Sequence, residues 1–144
     1  MKKILKLIDF FFVINNASSK MRRNANGLKF YFRAACLQRL GCAEFALTDL
    51  DLAQENGYQE SNMFKLWDRR GQCLITLRRF KEARVAFEEA LSSVKVAKLD
   101  KKKRDKFLKD INNSFEKIAN EEDLEQIIKP DDRNHEIMTI GEHG

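Results

Sequence analysis

KLWDRRGQCLITLRRFKEARVAFEEAL, residues 65–91, spaces its large and small apolar residues at intervals of three and four. That is the helical period, and it predicts two amphipathic helices broken between Leu77 and Phe80. Gly71 on the first helix and Ala83 and Ala90 on the second put small residues where two backbones can approach closely. Trp67, Leu74, Phe80 and Phe87 fill the space around them, each contributing about 1.5–3 kcal/mol when fully buried. A bulky residue at Gly71 or Ala83 would overpack the contact, at a cost of about 1–3 kcal/mol.

The same pattern occurs once more upstream. Shifting the chain by 37 residues sets Phe30 on Trp67, Arg33 on Arg70, Ala34 on Gly71 and Leu37 on Leu74. Ala46, Leu50 and Ala53 then fall on Ala83, Phe87 and Ala90. A repeat of this length belongs to the helical arrays. The second unit resembles the tetratricopeptide repeat: Trp67, Arg70, Gly71 and Leu74 follow its W-x₂-L-G-x₂-Y spacing, and Ala83 with Phe87 follows its A-x₃-F. Arginine stands for the usual leucine, leucine for the tyrosine, and the closing proline is absent.

The expected architecture is all-α: a short, right-handed tetratricopeptide-like solenoid of helix-turn-helix pairs with a C-terminal capping helix. Helices are expected at 26–40, 43–56, 61–77, 80–95 and 102–119. Gly41 separates the first pair, and Asn56-Gly57 ends the second helix in a left-handed cap. One degenerate repeat covers 26–57 and a cleaner one 61–95. At 102–119, Phe107, Leu108, Ile111, Phe115 and Ile118 form one stripe that can close the array. The tail at 121–144, acidic and holding Pro130, reads as a linker or disordered end.

Composition narrows the class. One proline and six glycines in 144 residues favour long helices over a turn-dense β fold. The chain carries a net charge of +5, and residues 95–109, KVAKLDKKKRDKFLK, hold eight Lys or Arg against two Asp. Such a run reads either as a solvated helix face or as a patch for nucleic acid or an acidic peptide. Cys36, Cys42 and Cys73 form no zinc spacing and read as thiols packed inside helices in a reducing compartment. The apolar start, MKKILKLIDFFFVINN, is interrupted by Lys6 and Asp9. Residues 1–20 therefore read either as the second helix of a preceding repeat or as a leader.

The run NGYQESNMFKLWDRRGQCLITLRRFKEARVAFEEAL, with FRAACLQRLG and ALTDLDLAQENGY before it and the lysine-rich helix after it, resembles the tetratricopeptide region of the SET and MYND domain-containing protein-lysine methyltransferases. The likeness is closest to the fourth-member-like subgroup and covers roughly residues 28–119. Paired cysteines for a MYND module and the motifs of a SET core are absent from these residues. The resemblance therefore implies a copy carrying the helical part only, with no methyl transfer by this chain. S-adenosylmethionine and zinc would enter only through a SET and MYND portion encoded elsewhere. It also implies a cytoplasmic, or cytoplasmic and nuclear, location.

In such arrays the first helix of each unit lines a concave groove that holds an extended peptide. Lys65, Asp68, Arg69 and Gln72 are the expected groove residues of the second unit, and Leu28, Tyr31, Phe32 and Ala35 those of the first. Lys65 and Arg69 resemble half of the carboxylate clamp with which some tetratricopeptide domains hold the acidic C-terminal tails of heat-shock chaperones. Phe32 stands where that clamp has an asparagine. Arg33 and Arg70 are expected to pack their stems between helices and bond loop carbonyls.

The leading expectation is a protein-interaction module for an extended, acidic C-terminal peptide. The alternatives are a portion of a lysine methyltransferase whose catalytic domain lies outside these residues, and a basic nucleic-acid-binding protein acting through Lys98–Lys109. An exposed N-terminal stripe would also offer a surface for self-association.

Overall fold

The structure, a computed structural model, describes Lys6 and residues 19–128. They form α1 (Ser19–Arg39), α2 (Ala43–Glu55), a 3₁₀ turn (Glu60–Asn62), α3 (Met63–Thr76), α4 (Phe80–Val94) and α5 (Lys101–Ile128). Among the described residues there is no strand, and no helix is long and apolar enough to cross a membrane.

Two turns repeat one another bond for bond at the 37-residue shift. Leu40 N donates to Cys36 O, Gly41 N to Gln38 O and Cys42 N to Leu37 O. In the second turn Leu77 N donates to Cys73 O, Arg78 N to Ile75 O and Arg79 N to Leu74 O. The central residue is left-handed in both, with φ 81° at Gly41 and 60° at Arg78. Gly57 (φ 85°) closes α2 in the same manner, with Tyr58 N donating to Ala53 O at 3.0 Å. Each end satisfies carbonyls that the helix itself leaves open. The turns fold α1 on α2 and α3 on α4 as two helical hairpins.

Side-chain size sets the closeness of each hairpin. Gly71 of α3 lies under the Phe87 ring of α4: a Cβ built there would come within 2.5 Å of Phe87 Cζ. At the matching places of the first hairpin, Ala34 and Leu50 are both fully buried in one cluster. A smaller partner on α2 goes with a methyl group on α1. Gly27 of α1 passes equally close to the chain behind it, since an added Cβ would collide with the Tyr58 backbone.

Apolar burial then joins the hairpins. Leu66 and Cys73 of α3 pack with Ala34, Ala46, Leu50, Ala53 and Tyr58, while Leu74 and Ile75 pack with α4. Leu47 touches both clusters. Ile111 and Ile118 of α5 complete the α4 cluster, and Phe107 and Phe115 lie against it.

The helices differ from the sequence expectation at two ends. α1 starts at Ser19 rather than 26, and α5 continues to Ile128 rather than stopping at 119. Residues 121–128 are thus helix and not linker. Arg78 holds Glu121 (3.2 Å) and Glu125 (2.7 Å), and Arg84 holds Glu122 (2.8 Å), so the acidic stretch pairs with the α3–α4 turn and with α4. The alternative readings of residues 1–20 fall almost wholly outside the described residues, as does the tail at 129–144.

Candidate functional site

α3 and α5 run side by side in the same direction. Phe64 meets Phe107 edge-to-face, with ring centroids 5.0 Å apart. Two turns further along both helices, Gln72 Nε2 donates to Ser114 Oγ at 3.1 Å. Ser114 is buried and in turn donates to the Asp110 carbonyl of its own helix. Between α1, α3 and α5 lies an open cavity of about 520 Å³. Its lining includes Tyr31 and Gln38 of α1, Phe64, Lys65, Asp68, Arg69 and Gln72 of α3, and Lys103, Lys106, Phe107 and Asp110 of α5. Leu99 completes it from the α4–α5 connection.

Five of the residues expected in the groove line this one cavity: Tyr31, Lys65, Asp68, Arg69 and Gln72. Phe32, also expected there, is not in the lining. It is 37% exposed and meets Tyr31 edge-on at 6.0 Å. Leu28 and Ala35 are likewise outside the lining, and Gln38 stands in it instead. Gln38 is seven residues from Tyr31 and so falls on the same face of the helix. That spacing was legible in the sequence.

Arg69 differs from the expected clamp in chemistry. Its guanidinium lies 5.2 Å from the Tyr31 ring centroid, and Tyr31 stacks on Tyr58 at 4.9 Å and 27°. Nη1 donates to Gln38 Oε1 at 2.6 Å, and Nε is buried without an acceptor. This is a stacked bracing arginine, fixed between α1 and α3. Burial, with the neighbouring Tyr31, pushes the Tyr58 phenol far above its ordinary value, so its ring is a neutral member of the stack.

The three lysines are in another condition. Lys65, Lys103 and Lys106 make no ion pair among the described residues, whose ion pairs on the cationic side all come from arginines. Lys65 Nζ sits 5.8 Å from the Phe64 ring centroid. The sequence reading held Lys103 and Lys106 apart from the groove, as part of a basic run. Only the parallel seating of α5 on α3 brings that run to Lys65.

Acidic groups bound the cationic zone. Burial raises the Asp68 carboxyl above its ordinary range against the hydrogen bond from Gln72 Nε2 (3.4 Å) and the field of Arg69; Asp110 across the seam raises it further. Among the described residues no group of three or more His, Cys, Asp or Glu is placed to hold a metal ion.

A second cavity, of about 560 Å³, lies between α2, α3 and α4, over Trp67, Leu74 and Ala86. Its arginines are engaged: Arg70 pairs with Asp51 at 2.5 Å and stacks 5.3 Å from the Trp67 centroid, and Arg79 pairs with Glu82 at 2.6 Å. Arg70, like Arg33, bonds a carboxylate of α2 rather than the loop carbonyls expected. Arg33 grips Asp49 with two bonds of 2.7 Å and lies 5.2 Å from the Phe30 ring centroid. Each arginine covers the aromatic ring one turn earlier on its own helix.

Cys73 is buried, and burial raises its thiol, which leaves little thiolate for attack. Cys36 and Cys42 are free and half-buried, less enclosed than the sequence suggested.

No known protein family, characterised protein or solved structure matches this chain.

Proposed function

We propose that the chain is a protein-interaction module, a short tetratricopeptide-like array that holds an extended acidic peptide in the groove between α1, α3 and α5. The observation that carries the reading is the convergence of Lys65, Lys103 and Lys106, from two helices, on a cavity that also presents the half-buried rings of Tyr31 and Phe107. Uncommitted ammonium groups supply charge-assisted hydrogen bonds to carboxylates. The aromatic walls accept the apolar side chains between them. The repeated turns and the lining of one groove by alternate helices favour the tetratricopeptide reading. The sequence resemblance further suggests origin as the docking part of a SET and MYND domain-containing lysine methyltransferase.

The test is fluorescence anisotropy of a labelled acidic C-terminal peptide, with a heat-shock chaperone tail as first probe, over a salt series. Lys65→Ala and Lys106→Ala should each weaken binding by about threefold to fivefold, the scale of one partly exposed charge pair, and flatten the salt response. Binding unchanged in both variants would sink the proposal, as would preference for single-stranded RNA over the peptide.

A further inference from the structure

The groove is graded in charge along its length, and the grading follows from the register of α3 on α5. The Phe64–Phe107 contact and the Gln72–Ser114 bond fix that register at both ends. Lys65 and Lys106, neighbours of the two phenylalanines in sequence, therefore lie at nearly one level, with Lys103 a turn nearer the helix start. Asp68 and Asp110 share the next level, and Gln72 with Ser114 the one after. One side of the groove is thus cationic, then anionic, then neutral.

Helix stability does not account for this arrangement. The first turn of α5 is Lys101, Lys102, Lys103 and Arg104, and the one acidic group at that end is Asp100 just before it, which accepts from Lys103 N at 2.8 Å. Cations at that end oppose the helix dipole. Asp68 and Asp110 also face each other across the seam, where like charges repel; burial is the main cause of the upward push on Asp68, and Asp110 adds a smaller part of it.

We infer that the groove selects a peptide segment in which one acidic group is followed, within one or two residues, by a neutral or basic residue, and that it rejects runs of acids. The inference rests on the peptide-binding reading above and adds to it a rule of register. One helical turn separates the lysine level from the aspartate level, about 5 Å. An extended peptide advances about 3.3 Å per residue, so one or two residues span that step. An acidic group seated on Lys65 and Lys106 places its near neighbours against Asp68 and Asp110. A second acid there meets two carboxylates, the guanidinium of Arg69 beside them being turned toward Tyr31 and Gln38 of α1, and a lysine there is attracted by them. Specificity arises from the repulsive pair as much as from the attractive one.

The experiment compares three labelled peptides of equal length on the full chain: a single glutamate, three consecutive glutamates, and a glutamate two residues from a lysine. The glutamate–lysine peptide should bind at least about threefold more tightly than the triple-glutamate one, despite its lower net charge. Asp110→Lys, at an exposed position, should invert that order. If the triple-glutamate peptide binds best to the parent chain, and Asp110→Lys leaves the order unchanged, the register rule is wrong while the acidic-peptide reading stands. If none of the three binds, both fail.

Discussion

Gly71 and Phe87 occupy one contact: a methyl group at Gly71 would lie 2.5–2.8 Å from three atoms of the Phe87 ring. The ring is fully buried and hemmed in by Leu74, Ala83, Ala90 and Ile111, so it has nowhere to move. The gain of about 1 kcal/mol that alanine normally brings to a helix is therefore outweighed.

Gly71→Ala should lower stability by about 1–3 kcal/mol in chemical denaturation. Adding Phe87→Leu should recover part of that loss, because it reproduces the Ala34 and Leu50 pair of the first hairpin. A double-mutant cycle that shows additive effects would mean the two residues do not share the space described.

The two equivalent turns should answer differently to substitution. Gly41→Ala meets no neighbour within 4 Å, so its cost is conformational alone, about 1 kcal/mol for a left-handed alanine. Arg78→Gly relieves the same backbone strain but frees Glu121 and Glu125. Hydrogen exchange should therefore speed up in α5 beyond Ile118, its last buried residue, with the α3–α4 turn itself little affected. Unchanged protection at 119–128 would show that the ion pairs do not hold that end.

Asp68 sets a pH dependence with a definite sign. Its carboxyl is raised in the folded chain by burial, so the folded state binds its proton more tightly than the unfolded state does. Its contribution to stability is complete below the ordinary carboxylate range near about pH 4 and is lost as pH rises through the raised value. Asp68→Asn should accordingly melt higher than the parent near neutral pH, with the difference closing in acid. A difference that grew in acid would contradict the assigned cause.

Arg33 and Asp49 should give unequal losses. Asp49 is 3% exposed, whereas the Arg33 side chain is half-exposed. Arg33→Ala strands a buried carboxylate and should cost about 1–3 kcal/mol. Asp49→Ala releases an arginine to water and should cost less. Equal losses in urea titrations would indicate that Asp49 gains water when its partner is removed.

Much of the helical framework was readable along the chain, because helix formation and turn chemistry are local. The period of Trp67, Gly71 and Leu74, the helix break at Gly41 and the left-handed cap at Asn56-Gly57 all depend on neighbours a few residues away, and their recurrence makes the 37-residue repeat. Arg78 escaped that reading: a non-glycine residue in a left-handed turn is visible only through its symmetry with Gly41. The extension of α5 to Ile128 escaped it as well, since an acidic stretch becomes helix here beside arginines that are distant in sequence.

The candidate site divides the same way. Residues on one helix face, Lys65, Asp68, Arg69 and Gln72, follow from spacing alone. Whether a charged residue there is free or engaged does not. Arg69 stacks on Tyr31 and donates to Gln38, and the basic run joins the groove through Lys103 and Lys106, because α5 lies parallel to α3 at a register set by Phe107 and Ser114. Periodicity assigns a side chain to a face; only packing between helices decides what that face meets.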